Sequence, residues 1–174
     1  VRAALSATGP SVARGTAAPI RARRTGMRIV VVGSGYVGLV AGTGFAEFGN
    51  TVTCVDNDAR KIEALQGGRI PIYEPGLEEL VRRNVADQRL SFSTDLAASV
   101  RDAEVVLIAV GTPPKADGSA DLRAVMAVAE SLRGALVRDT VVILKSTVPV
   151  GTNDKVQGIL DGASVKVTVV SNPE

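Results

Sequence analysis

The chain has no histidine, a single cysteine, and few aromatic side chains: three Phe, two Tyr and no Trp in 174 residues. Without histidine there is no imidazole to act as a catalytic base, and no metal site is expected. The lone Cys54 excludes an intrachain disulfide and fits a reducing compartment, so a cytoplasmic protein is expected. Acidic and basic side chains nearly cancel, leaving a formal charge of +2, and the basic footprint of a nucleic-acid binder is missing. No apolar run is long enough to span a membrane. What remains is the composition of an ordinary α/β domain, long enough for one good core.

The organising stretch runs from Met27 to Asp56. Arg28-Ile29-Val30-Val31-Val32 is β-branched and apolar after its first residue, which reads as a strand buried on both faces of a parallel sheet. Gly33-Ser34-Gly35-Tyr36-Val37-Gly38 follows, and then Val37, Val40, Ala41, Phe45 and Phe48 recur at helical spacing. A strand thus runs into a glycine turn that opens a helix. A helix N-terminus offers unpaired N–H groups and a partial positive charge, which suit a phosphate. Gly33 allows the tight turn, Gly35 lets a pyrophosphate approach the backbone, and Gly38 lets helix and strand pack closely. A second strand, Thr51 to Val55, ends in Asp56. An acid there can accept hydrogen bonds from the ribose hydroxyls of NAD and would repel the extra phosphate of NADP. Arg60 could clamp such a phosphate, but an exposed helix arginine is the plainer reading.

Further along, Asp58 to Gln66 reads as a polar helix closed by Gly67-Gly68. Lys61 lies near its first turn, where a contact to the adenosine ribose and an ordinary surface lysine both fit. Ile70 to Gly76 is a rigid apolar loop, and Pro75 starts a helix from Gly76 to Asn84. A short strand at Leu90 to Ser93 is followed by a helix to Val100, capped by Thr94 or Asp95. Glu104 to Val110 reads as a buried strand running into Gly111-Thr112-Pro113-Pro114. Leu122, Val125, Ala129 and Leu132 share one helix face. Thr140 to Leu144 is a strand ending in Lys145-Ser146-Thr147, Pro149 opens a helix to about Leu160, and Val165 to Val170 is the last strand. Strands alternating with helices predict a doubly wound, mostly parallel sheet with helices on both faces and right-handed crossovers. Asp56, Thr112, Ser146, Thr147 and Glu174 sit at strand ends and are expected on the same edge as the glycine turn.

Residues 1–26 carry five Arg and no acid, are rich in Ala, Ser, Thr, Gly and Pro, and show no periodicity. Disorder is expected there. The composition is also that of a transit peptide. Met27 at the start of the first strand favours a translational start, with the preceding residues as read-through or an idiosyncratic extension. The chain stops at Asn172-Pro173-Glu174 with no closing element, which reads as a piece of a longer protein.

Several segments together resemble the UDP-glucose/GDP-mannose dehydrogenase family. They are Met27 to Val40, Phe45 to Gly49, Val52 to Asp56, Ile70 to Leu80, Ala109 to Pro114, Asp117 to Leu122, Lys145 to Thr152 and Ser171 to Glu174. The likeness spans residues 27–174, and its 70–80 segment leans toward UDP-glucose. It implies a Rossmann-type NAD-binding domain of an enzyme that oxidises the sugar C6 alcohol of UDP-glucose twice, to the acid, with two NAD. GDP-mannose or a UDP-N-acetylhexosamine is the alternative substrate, and an NAD-sensing regulatory domain is a different class of reading. The family's cysteine nucleophile, with a lysine, an asparagine and an aspartate, belongs to a second half absent from this sequence. This chain alone is therefore expected not to complete the four-electron oxidation. By position, the resemblance makes Val37, Asp56, Lys61, Thr112 and Thr147 NAD-binding residues, alongside Gly33, Gly35, Tyr36 and Gly38 of the turn and Ser146. It makes Thr147 and Glu174 holders of a catalytic water, and Glu174 a substrate contact. A homo-oligomer is expected at full length. Cys54 lies inside the second strand and reads as a packing residue, not the nucleophile. Glu47 reads as a solvated helix acid, and Asp117 and Asp121 as turn and cap residues.

Overall fold

The computed structural model describes residues 26–173. Expectations for residues 1–25 and for Glu174 therefore lie outside the described residues. Gly26, counted above with the extension, is seated against the turn before the second strand. A Cβ on it would lie 2.1 Å from the Gly49 carbonyl oxygen.

Six strands form one sheet in the order β3-β2-β1-β4-β5-β6, and every neighbouring pair is parallel. They are β1 (Arg28–Val32), β2 (Thr51–Val55), β3 (Leu90–Ser93), β4 (Val105–Ile108), β5 (Thr140–Leu144) and β6 (Val167–Ser171). The helices are α1 (Tyr36–Glu47), α2 (Ala59–Gln66), α3 (Leu77–Ala86), α4 (Leu96–Val100), α5 (Arg123–Ala135) and α6 (Thr152–Leu160). Strand residues alternate between two cores because successive side chains point to opposite faces. Ile29, Val31, Val52, Cys54 and Leu107 meet Leu39 and Ala46 of α1, Ile62 and Leu65 of α2, and Leu77 and Val81 of α3. Val30, Val106, Ile108, Val142 and Val169 meet Val100 of α4, Val125, Ala129 and Leu132 of α5, and Val156 and Leu160 of α6. The doubly wound sheet is as expected, and the strand order is the one in which β1 and β4 flank the point where the winding reverses.

Three local expectations are corrected. The stripe of Val37, Val40, Ala41, Phe45 and Phe48 is not the fully buried face of α1, although Val40, Ala41 and Phe45 pack partly buried against the core. Gly38, Leu39, Gly42, Thr43 and Ala46 form that face, and Phe48 is 86% exposed. Apart from Leu39 this face is made of small residues, because helix and strand approach closely: a Cβ on Gly42 would lie 2.7 Å from Cys54 Sγ. The helix placed at Pro149 begins at Thr152, after Gly151 adopts a left-handed φ of 84°. The Pro149 carbonyl instead accepts from the Thr152 N–H at 3.2 Å and its hydroxyl at 2.7 Å. Glu47 is more than a solvated acid. It accepts from Arg83 at 2.7 Å and from Asn84 at 2.8 Å, which ties α1 to α3.

Asp58 and Asp95 cap α2 and α4 through their side chains, the first turns of which begin with unsatisfied N–H groups. Asp117 accepts from the Ser119 N–H at 2.9 Å, the turn role expected of it, whereas Asp121 stands one residue before Leu122, the N-cap of α5, and accepts from the Arg123 N–H at 3.0 Å. On the α1 side of the sheet, Val141 of β5 and Val170 of β6 remain 38% and 39% exposed.

Candidate cofactor site

The carboxyl ends of β1, β2, β4 and β5 meet at one edge of the sheet. Gly33 donates its N–H to the Val55 carbonyl at 2.7 Å, Ala109 to Val32 at 2.8 Å, and Lys145 to Ile108 at 2.9 Å. Gly33 has a φ of 101°, and a Cβ there would lie 2.6 Å from the Ala109 carbonyl oxygen. Glycine is needed at this position for both conformation and space. A Cβ on Gly38 would lie 1.8 Å from the Gly33 carbonyl oxygen and 3.3 Å from Val31 Cγ1, so α1 can pack on β1 only without one. Gly35 differs. It is the exposed N-cap of α1, no side chain caps the helix there, and a Cβ would meet nothing within 4 Å. The space beside it is therefore open to a ligand, at a helix N-terminus suited to an anion.

Asp56 stands at the end of β2 and is only 8% exposed. Its Oδ2 accepts from the Ser34 N–H at 2.9 Å, the Ser34 hydroxyl at 2.8 Å and the Lys61 ammonium at 2.8 Å. Its Oδ1 accepts from the Asp58 N–H at 3.0 Å. Burial alone would raise its pKa, but donation by Lys61, the Asp58 N–H and both Ser34 donors outweighs that and holds the carboxyl at about 2. It is a carboxylate throughout the neutral range. Lys61 is thus placed beside the acid rather than in bulk solvent, whereas Arg60 is exposed as read from the sequence.

Asp56, Lys61, Gly33 and Gly35 line one cleft of about 480 Å³. Its far wall is apolar, from Val55, Leu96, Val110 and the Ala124, Ala127 and Val128 flank of α5, with Ser131 at its margin. An apolar slot with a few converging polar groups is the usual form of a small-molecule site. Ser34 and this flank of α5 were not singled out from the sequence. A serine between two glycines carries no local signal that its hydroxyl meets an acid far along the chain. The flank of α5 is a second stripe beside the buried one, marked only by small residues.

The other expected residues group differently. The Thr112 hydroxyl donates to the Thr147 carbonyl at 2.8 Å, joining the loops after β4 and β5. Ser146 is 6% exposed and lies within 2.6 Å of the Val110 carbonyl oxygen, to which its hydroxyl donates. Its proton is directed into the fold. Tyr36 and Val37 border a separate shallow groove with Val40, Ala41 and Lys145, and the Tyr36 hydroxyl donates to Glu74 at 2.7 Å. Cys54 is fully buried, and burial pushes its thiol up to about 12, which agrees with a packing role. Among the described residues no group of His, Cys, Asp and Glu could hold a metal ion, and no helix is long and apolar enough to cross a membrane.

Comparison with known proteins gives a family and its relatives. Residues 27–174 match the UDP-glucose/GDP-mannose dehydrogenase family, NAD binding domain. A UDP-glucose 6-dehydrogenase of Rhizobium meliloti is 54% identical over 151 residues, covering 85% of this chain and 35% of the relative. The UDP-glucose 6-dehydrogenase YwqF of Bacillus subtilis is 49% identical over 151 residues, covering 85% and 34%. The chain therefore spans about a third of the length of these relatives. Among solved structures, a UDP-glucose dehydrogenase from Pyrobaculum islandicum superposes with a TM-score of 0.81 at 41% identity, covering 95% of this chain and 38% of that one. A GDP-mannose dehydrogenase from Pseudomonas aeruginosa gives 0.77 at 37% identity, covering 85% and 36%.

Proposed function

This chain belongs to the UDP-glucose/GDP-mannose dehydrogenase family as its NAD-binding domain, and we propose that it serves a UDP-glucose 6-dehydrogenase. The reaction is oxidation of the C6 alcohol of UDP-glucose to the carboxylate, with two NAD consumed in turn. The observation that carries the cofactor assignment is the pairing of an open Gly35 at a helix N-terminus with a buried, ionised Asp56 in the same cleft. The residues fit the cofactor. The start of α1 at Gly35, Tyr36 and Val37 holds the pyrophosphate, the Asp56 carboxylate accepts from the adenosine ribose with Lys61 beside it, and the apolar flank of α5 walls the adenine. Gly33 and Gly38 shape the turn. NAD supplies the hydride acceptor.

Thr112, Ser146 and Thr147 lie at the ends of β4 and β5 and serve the nicotinamide side of the cofactor. Ser146 acts there through the backbone it fixes. Thr147 and Glu174 are assigned to a water needed in the second oxidation, and Glu174 to the sugar as well. UDP-glucose is preferred over GDP-mannose because UDP-glucose 6-dehydrogenases are among the relatives at 49–54% identity, whereas the GDP-mannose enzyme stands at 37%. The protein is assigned to the cytoplasm, on its single, buried thiol, and to a homo-oligomer that includes the rest of the family polypeptide.

Calorimetric titration with NAD and NADP tests the reading. NAD binds and NADP binds at least about tenfold more weakly, and Asp56→Ala weakens NAD by about tenfold or more. Equal binding of the two cofactors overturns it. Production of NADH from UDP-glucose, but not from GDP-mannose, by a protein carrying the remaining two-thirds of the family sequence tests the substrate.

A further inference from the structure

We propose that Ser34 is a positioning residue for the cofactor: its N–H and hydroxyl together anchor Oδ2 of Asp56, which leaves Oδ1 as the carboxylate oxygen that meets the adenosine ribose. The proposal deepens the cofactor assignment above and rests on it. A carboxylate offers about four acceptor sites, two on each oxygen. Oδ2 already takes three donors, the Ser34 N–H at 2.9 Å, the Ser34 hydroxyl at 2.8 Å and Lys61 Nζ at 2.8 Å. Oδ1 takes one, the Asp58 N–H at 3.0 Å. The unused capacity of the group is therefore on Oδ1. Ser34 is 0% exposed, so its hydroxyl cannot exchange Asp56 for bulk water.

Geometry makes the contact more than a surface hydrogen bond. Ser34 lies in the phosphate-binding turn between Gly33 and Gly35, whereas Asp56 ends the neighbouring strand. The two donors of one residue therefore fix the ribose acceptor relative to the pyrophosphate site. A dinucleotide has to satisfy both at once, so an acid free to rotate would lose affinity through the cost of ordering it. Lys61, five residues on from Asp56, holds the same oxygen. With Oδ2 held in this way, Oδ1 would be the oxygen open to a ribose hydroxyl, with the Lys61 ammonium beside it.

A double-mutant cycle separates this from a merely structural role. Ser34→Ala removes the hydroxyl and keeps the N–H. In the Asp56 protein it weakens NAD binding about fivefold, the size of one net hydrogen bond. In an Asp56→Ala background, which removes both acceptor oxygens and is followed by NMR titration at high NAD, Ser34→Ala changes affinity by less than about twofold. Equal weakening in both backgrounds, or none in the first, overturns the proposal. Without cofactor, the ¹³C signal of the Asp56 carboxyl reports the contact directly. Its titration midpoint rises in Ser34→Ala, and NAD affinity in that variant falls off at a higher pH than in the parent as acid is added. An unmoved midpoint also overturns the proposal. Failure of the parent chain to bind NAD sinks the cofactor reading, and the carboxyl titration still decides whether Ser34 holds Asp56.

Discussion

Asp56 is stabilised as an anion because four donors reach it at the end of β2. Its folded pKa of about 2 lies below the ordinary 3.8, so the sign is that of a depressed acid. The stabilisation is complete above the unfolded value and is lost as pH falls from about 4 toward 2. Its size is at most roughly 2 kcal/mol. Urea midpoints measured from pH 5.5 down to 2.5 are therefore expected to drop less steeply in Asp56→Ala than in the parent. Cys54 presents the opposite case, a thiol whose only perturbation is burial, which raises it to about 12. A thiol reagent at pH 8 is expected to label the native chain at least roughly a hundredfold more slowly than the denatured chain. Rapid native labelling would mean that β2 opens readily. Neither value was legible in the sequence. Asp56 was readable as an acid at a strand end, but its donors Ser34 and Lys61 carry no mark that aims them at it.

α1 shows what its glycines do separately. Gly38 is required by the fold, since a Cβ there would lie 1.8 Å from the Gly33 carbonyl oxygen. Gly35 is not required by packing, since a Cβ there meets nothing within 4 Å, and its proposed role is toward the ligand. Gly38→Ala is expected to lose roughly 3 kcal/mol or to unfold the chain. Gly35→Ala costs less than about 1 kcal/mol in thermal unfolding, yet weakens NAD at least about tenfold by occupying the pyrophosphate approach. The same substitution three residues apart thus gives opposite readouts in unfolding and calorimetry, and matched effects would refute the division. The buried face of α1 was not readable from spacing. Tyr36 to Ala46 contains no charged residue, so no polar stripe selects a face, and only the approach of β1 and β2 shows that the small residues turn inward. The start of α6 was missed for a related reason. Pro149 is suited to a first helical turn, but Gly151 in the left-handed region delays the helix to Thr152.

At the scale of the whole molecule, the sheet is best protected at its centre. β1 and β4 lie between other strands and under both cores, whereas β6 forms an edge and leaves Val170 39% exposed. Amide exchange is expected to be slowest at Val31 and Val106 and fastest, among the strands, in β6. Slower exchange in β6 than in β1 would contradict the order of burial. The parallel order of six strands follows from alternation of β and α segments. That much is local, because hydrophobic period, glycine turns and Asp caps act over a few residues, and so the sequence by itself determined the element order, the glycine turn and the acid at the end of β2. Tertiary structure alone decided what those elements bring together. Ser34 meets Asp56 across 22 positions, and Thr112 grips the Thr147 carbonyl across 35. Such contacts depend on which strands become neighbours, and on backbone approaches of a few ångströms that no local pattern encodes.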